Sequence, residues 1–189
     1  KAGEVGDRNS ETRLDHPADV AVDTAANEVY VADGGASQRI VVFDATTGAH
    51  KRHWGGHGTD FGRLSSVTLS KDGQVYVGDR KNDRIQVFKK DGTFVKEAFV
   101  SKTTMLAGSV WDVTFSSDAA QRYAFVADGQ DAKIFVLDRA TLEVVSSFGD
   151  GGGWPGTFRM VGSVGVDSKG NLYTGETFEG KRVQRFVKK

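Results

Sequence analysis

The residues of this 189-residue chain with chemistry to offer are a few histidines and a recurrent acid followed by a recurrent base. His50, His53 and His57 form a His-x2-His-x3-His cluster, and imidazole is a common ligand for borderline divalent metals. If residues 49–54 form a strand, however, His50 and His53 point to opposite faces, because side chains alternate with period two. That leaves the three as weak metal candidates on a solvated outer strand and its connector, and His16, alone before Pro17, as a structural or surface residue. The segments Asp23 to Asn27 and Asp167 to Asn171 carry oxygen ligands at short spacing. They lack the longer series and terminal Glu of a calcium loop, and read as turns. The acids Asp33, Asp79, Asp128 and Glu176 precede the bases Arg39, Arg84, Lys133 and Arg182 by 6, 5, 5 and 6 residues. A catalytic acid–base pair has no need to recur four times. These eight residues are expected to form structural ion pairs across hairpins.

The elements that must position them come from an internal repeat. First strands begin at Asp19, Ser66, Asp112 and Ser163, spaced by 47, 46 and 51 residues. Second strands run Glu28-Val-Tyr-Val-Ala-Asp33, Gln74-Val-Tyr-Val-Gly-Asp79, Tyr123-Ala-Phe-Val-Ala-Asp128 and Asn171-Leu-Tyr-Thr-Gly-Glu176, and third strands open at the recurrent base. Short runs rich in Val, Ile, Tyr and Phe between Gly, Asp, Asn and Ser are strands and not helices. A fourth strand follows in three repeats, and four strands every ~47 residues are the period of a β-propeller blade. The fold class is therefore all-β, one propeller domain with four blades visible. Residues 1–15 read as a connector from a preceding blade, 16–60, 61–107 and 108–158 as blades, and 159–189 as a last blade lacking its outer strand. Residues 1–6 align with the connector at 53–58, so part of a six-bladed ring is expected ahead of a closed four-bladed one or an oligomer that completes the ring.

Composition narrows the function classes. With 25 Lys+Arg against 25 Asp+Glu, no electrostatic reason exists to expect a nucleic-acid or anionic-membrane binder. The basic C-terminal stretch 181–189 alternates with apolar residues as an edge strand does. No apolar run is long enough to span a membrane as a helix, and with no Cys there is neither a disulfide nor thiolate chemistry. The 24 Gly beside 2 Pro belong to repeated tight turns. Trp54, Phe61, Phe148, Trp154 and Phe158 are expected to pack between blades. Trp111 falls on an innermost strand, where it either plugs the channel or stacks on a ligand.

The motifs Pro17-Ala-Asp-Val-Ala-Val-Asp23, Val31-Ala-Asp33, Arg39-Ile-Val-Val-Phe43, Arg84-Ile-Gln-Val-Phe88 and Lys169-Gly-Asn-Leu-Tyr173 resemble the NHL-repeat propellers. Within that family the chain is similar to bacterial exported proteins that resemble peptidyl-α-hydroxyglycine α-amidating lyase. The resemblance implies a periplasmic or extracellular location and an axial zinc held by histidines, or an axial calcium held by backbone carbonyls. The positions matching the zinc histidines are the channel-lining residues Ala18, Ser65, Trp111 and Gly162, none of them His. The position of the lyase tyrosine is Gly35, and the acid after the last metal histidine is Ser163. An exported, non-catalytic or divergent propeller with a protein or peptide partner is expected, with no catalytic residue and no evident cofactor. The alternatives are a lyase-like enzyme whose ligands lie in further N-terminal blades, and a structural subunit of a larger assembly.

Overall fold

The computed structural model describes residues 4–188; residues 1–3 of the expected connector and residue 189 lie outside the described residues. Four antiparallel sheets follow one another along the chain, each in simple sequential order. The first blade comprises β1 (Pro17–Asp23), β2 (Glu28–Asp33), β3 (Arg39–Asp44) and β4 (His50–Trp54), and the second β5 (Leu64–Leu69), β6 (Gln74–Asp79), β7 (Arg84–Lys89) and β8 (Phe94–Phe99). The third contains β9 (Asp112–Phe115), β10 (Tyr123–Asp128), β11 (Lys133–Asp138) and β12 (Val144–Phe148). The fourth has three strands, β13 (Val161–Val166), β14 (Leu172–Glu176) and β15 (Val183–Phe186). The Asp and Gly of the hairpins serve turn geometry. Asp23 Oδ1 accepts from the amides of Ala25 and Ala26, and Asp167 Oδ1 from those of Lys169 and Asn171.

Blades pack face to face on apolar layers. Tyr30, Ile40 and Val42 of the first meet Leu64, Val67, Val75 and Phe88 of the second. Tyr76, Ile85 and Val87 meet Val113, Phe115 and Leu137, and Ala127 and Ile134 meet Phe158, Val161, Val164 and Leu172. Trp54, Phe61, Phe148 and Phe158 join these layers, whereas Trp154 is 80% exposed and packs in none of them. Its connector turns it outward, because Thr157 donates both its amide and its hydroxyl to the Trp154 carbonyl and closes a tight turn there. Innermost strands touch in the order β1, β5, β9, β13, with no comparable contact from β13 back to β1 among the described residues. Four blades thus form an open arc. Val20 and Val22 of β1 are 56% and 57% exposed, although the equivalents of Val20 in the next blades, Val67, Val113 and Val164, are almost wholly buried.

Connectors are fixed by the base that opens each third strand. Arg39, completely buried, donates Nε to Asp33 Oδ2 at 3.0 Å and its terminal nitrogens to the carbonyls of Arg8, Ser10 and Arg13. Arg84 repeats this with Asp79 at 2.8 Å and the carbonyls of His57, Thr59 and Asp60, and Arg182 with Glu176 at 2.5 Å and the carbonyls of Gly152, Gly153 and Thr157. One planar fork therefore satisfies a buried carboxylate and the connector arriving over it. The third blade departs from the expected pairing, since Asp128 and Lys133 make no ion pair among the described residues. An ammonium lacks the fork, and Asp128 is capped by the amides of Gln130 and Asp131 and by the Thr104 hydroxyl. Removing one partner of a buried pair strands the other. Arg84→Ala is expected to lower unfolding free energy by about 3–5 kcal/mol, while Lys133→Ala stays within about 0.5 kcal/mol; urea denaturation of both variants measures the contrast.

Candidate functional site: the channel mouth

Antiparallel order places every second-to-third-strand loop and every connector on one face of the arc. There, a cleft of about 1260 Å³ opens between the first two blades, lined among others by Asp15, His16, Ala18, Asp60, Arg63, Arg80, Lys81 and Leu106. Inner strands enter it through a recurrent β-bulge. Register slips between Pro17 and Asp19, between Leu64 and Ser66, and between Val161 and Ser163, so Ala18, Ser65 and Gly162 are the extra residues. A bulge re-aims the side chain at a strand's mouth-proximal end. Trp111 occupies the matching position ahead of β9, its amide bonded to the Ala127 carbonyl.

None of these four supplies a metal ligand. Ser65 Oγ donates to the carbonyls of Val110, at 2.6 Å, and Gly78. Ala18 and Gly162 offer nothing, and the Trp111 indole donates to the Gly108 carbonyl at 2.9 Å. This donor set does not fit zinc, which takes imidazole, thiolate or carboxylate. Gly35 excludes a tyrosine for a steric reason, since a Cβ there would lie 2.3 Å from the Asp15 carboxyl carbon. That carboxylate is fixed by the Ala36 amide and by His16.

What the mouth does offer is unpaired positive charge. The Arg80 guanidinium lies 4.2 Å from the centre of the Trp111 ring, and its Nε is buried without a hydrogen-bond partner. Burial and the neighbouring Arg63 charge both pull its pKa down. Among the described residues, the side chains of Arg63, Arg80 and Lys81 form no ion pair, whereas the acids nearby are engaged, Asp60 with Arg8 at 2.9 Å and Asp15 with His16. Leu106, 85% exposed on the next connector, lines the same cleft as the cations. Neither Arg63 nor Arg80 belongs to a motif that marks a site in the sequence. The one available signal was that Arg80 directly follows the Asp79 that closes a second strand.

Behind the mouth, carboxylates tie inner strands together. Asp19 Oδ2 accepts from the Val67 amide at 2.9 Å, and Asp112 Oδ2 from the Val164 amide at 2.8 Å. Burial pushes Asp112 up to about 7, with a contribution from Asp19. Asp128 rises to about 7 through burial, with the Asp131 charge adding to it.

Of the other expected residues, His50 and His53 sit on the outer strand β4, remote in the sheet order from the inner strands of the channel, and approach each other. His57 stacks on Phe94, 3.9 Å between ring centres.

An open arc of antiparallel blades, three of them four-stranded, around an axial mouth defines the class: a β-propeller. The NHL repeat family matches residues 14–43 and 61–88. This chain is a β-propeller that carries NHL repeats, and it resembles the peptide-amidating enzymes. NHL repeat-containing protein 3 of Homo sapiens is 29% identical over 150 residues, 77% of this chain and 39% of that protein. Peptidyl-glycine alpha-amidating monooxygenase B of Xenopus laevis is 28% identical over 175 residues, 85% of this chain and 19% of that protein. The chain thus spans well under half the length of these curated relatives. Kuenenia stuttgartiensis hydrazine synthase shares the fold alone, with a TM-score of 0.69 and 16% identity over 97% of this chain and 49% of that one.

The two raised carboxyls set a pH dependence. Each keeps its proton in the folded chain after the unfolded chain has released it near pH 4, so folding holds the extra proton and stability falls as pH rises. Stability is expected to decline from pH 5 to about 7. Asp128→Asn, which keeps an acceptor for the two amides, flattens the slope; urea midpoints across this range measure it.

Proposed function

We propose that this chain is a non-catalytic binding module that takes an acidic peptide or protein segment at the channel mouth. One observation carries the proposal: Arg80, held over Trp111 and repelled by Arg63, has a buried donor with no acceptor. A buried unsatisfied donor costs about 1–3 kcal/mol, and an incoming carboxylate removes that cost while relieving the like-charge repulsion. The exposed Leu106 supplies apolar contact in the same cleft. Against lyase chemistry stand the absence of imidazole at positions 18, 65, 111 and 162 and the steric closure at Gly35.

The arc also has the makings of one part of a larger ring. Val20 and Val22 at one end and Val183 at the other occupy positions that neighbouring blades cover elsewhere. A further four-stranded blade is the occupant whose shape these faces repeat. A structure of the native assembly that leaves Val20 and Val22 in solvent contradicts this second proposal.

The binding function is tested by calorimetry with a ten-residue glutamate peptide carrying leucine at each end, against its glutamine counterpart. The acidic peptide is expected to bind, and Arg80→Ala or a rise in salt from 50 to 500 mM to weaken it at least about tenfold. Equal affinity for both peptides, or no effect of Arg80→Ala, contradicts the proposed ligand. Conversion of a peptidyl-α-hydroxyglycine to amide and glyoxylate contradicts the non-catalytic role.

A further inference from the structure

The outer strand of the first blade carries a second feature that the channel mouth does not use. In the pairing of β3 with β4, Phe43 faces His50, Val42 faces Arg52 and Val41 faces His53, so Lys51 is an extra residue. Without it, His50 and His53 would lie on opposite faces; with it, the alternation is reset and both imidazoles share one face. The bulge itself belongs to the blade and not to the histidines. The same slip occurs opposite Val87/Phe88 and opposite Val136/Leu137, leaving Val95 and Val145 unpaired. The positions of His50 and His53 are held there by Phe94 and Glu97, and by Val144 and Ser147. Only in the first blade does this fixed geometry carry two imidazoles.

His50 Nε2 lies 3.1 Å from His53 Nδ1, with ring centres 5.3 Å apart and tilted by 47°. We propose that these two nitrogens chelate one borderline divalent cation, of the Zn²⁺, Ni²⁺ or Cu²⁺ class, with the remaining positions filled by water. Two nitrogens each about 2.0–2.1 Å from a metal are about 2.9–3.4 Å apart at angles between square and tetrahedral. The observed separation falls within that span. Glu11 Oε1 stands 3.9 Å from His50 Nδ1, on the far side of the ring. A carboxylate there favours the proton on Nδ1 and leaves the Nε2 lone pair directed at the site. The Arg39 guanidinium, whose charge reaches His53, is compensated by Asp33. Imidazole without clustered oxygen ligands suits borderline metals and not calcium or magnesium.

Calorimetric titration of tag-free chain with ZnCl₂, and Cu²⁺ electron paramagnetic resonance, test the site. One equivalent of Zn²⁺ is expected to bind, with affinity reduced at least about tenfold in His50→Gln and in His53→Gln. His57→Gln leaves it unchanged, because that ring is stacked on Phe94. The Cu²⁺ spectrum of the unmodified chain is expected to show two imidazole nitrogens. This readout stands even where a variant fails to fold. No Zn²⁺ binding, equal binding in the folded His53→Gln variant, or a Cu²⁺ spectrum with fewer than two imidazole nitrogens overturns the proposal.

Discussion

A buried guanidinium shared between a carboxylate and a row of backbone carbonyls is the interaction on which this propeller depends. Blades stack through apolar layers, but apolar layers are non-directional and do not dictate the path of the chain between them. Arg39, Arg84 and Arg182 do, since each reads the acid closing its second strand and the carbonyls of the connector that crosses it. Buried carbonyls without donors are costly, and five donors in a fixed plane answer several at once. The third blade shows the consequence of a lysine at that position. Its connector is held by Thr104, bonded to Asp128 and Asp131, and by Ser109, bonded to Asp83 and the Val100 carbonyl. Asp128 is left without a guanidinium, and burial, with the Asp131 charge adding to it, raises its pKa.

Fixing the connectors also builds the mouth. Asp79 accepts from the Arg84 guanidinium, from the Asn82 side chain and from the Gly62 amide, so clamp and cleft wall are one network. Arg80 follows Asp79 directly and is carried to the rim, where the third blade presents Trp111. Arg63 contributes its carbonyl to the Arg80 amide and its charge to the same space. The structural acids are consumed in holding the loops, and the arginines left over face the opening. Unpaired basic side chains at the mouth of a chain with zero net charge arise in this way, from pairing and not from composition.

The repeat, the strands and the blade order were legible in the sequence because period-two alternation and closing acids are local signals. Three of the four acid–base pairs followed from spacing alone; the fourth did not form, because spacing cannot distinguish the fork of an arginine from the point charge of Lys133. The β4 bulge at Lys51 was invisible, since one unpaired residue leaves composition untouched but reverses which histidines meet. Trp154 looked like its packed counterparts and is exposed, because its neighbours close a turn that the aromatic itself does not encode. Arg80 was silent for a related reason. Its meaning lies in the partner it lacks, which only three-dimensional placement of every nearby acid reveals.

The central claim, that the mouth is built around an orphan arginine donor awaiting an anion, is most directly tested by nuclear magnetic resonance of the arginine Nε–H groups. With an acidic peptide added, the Arg80 Nε–H signal should shift downfield and exchange more slowly with solvent as its buried donor gains an acceptor. The Arg84 signal, already bonded to Asp79, should stay in place. A peptide that binds while the Arg80 signal is unmoved would contradict the account.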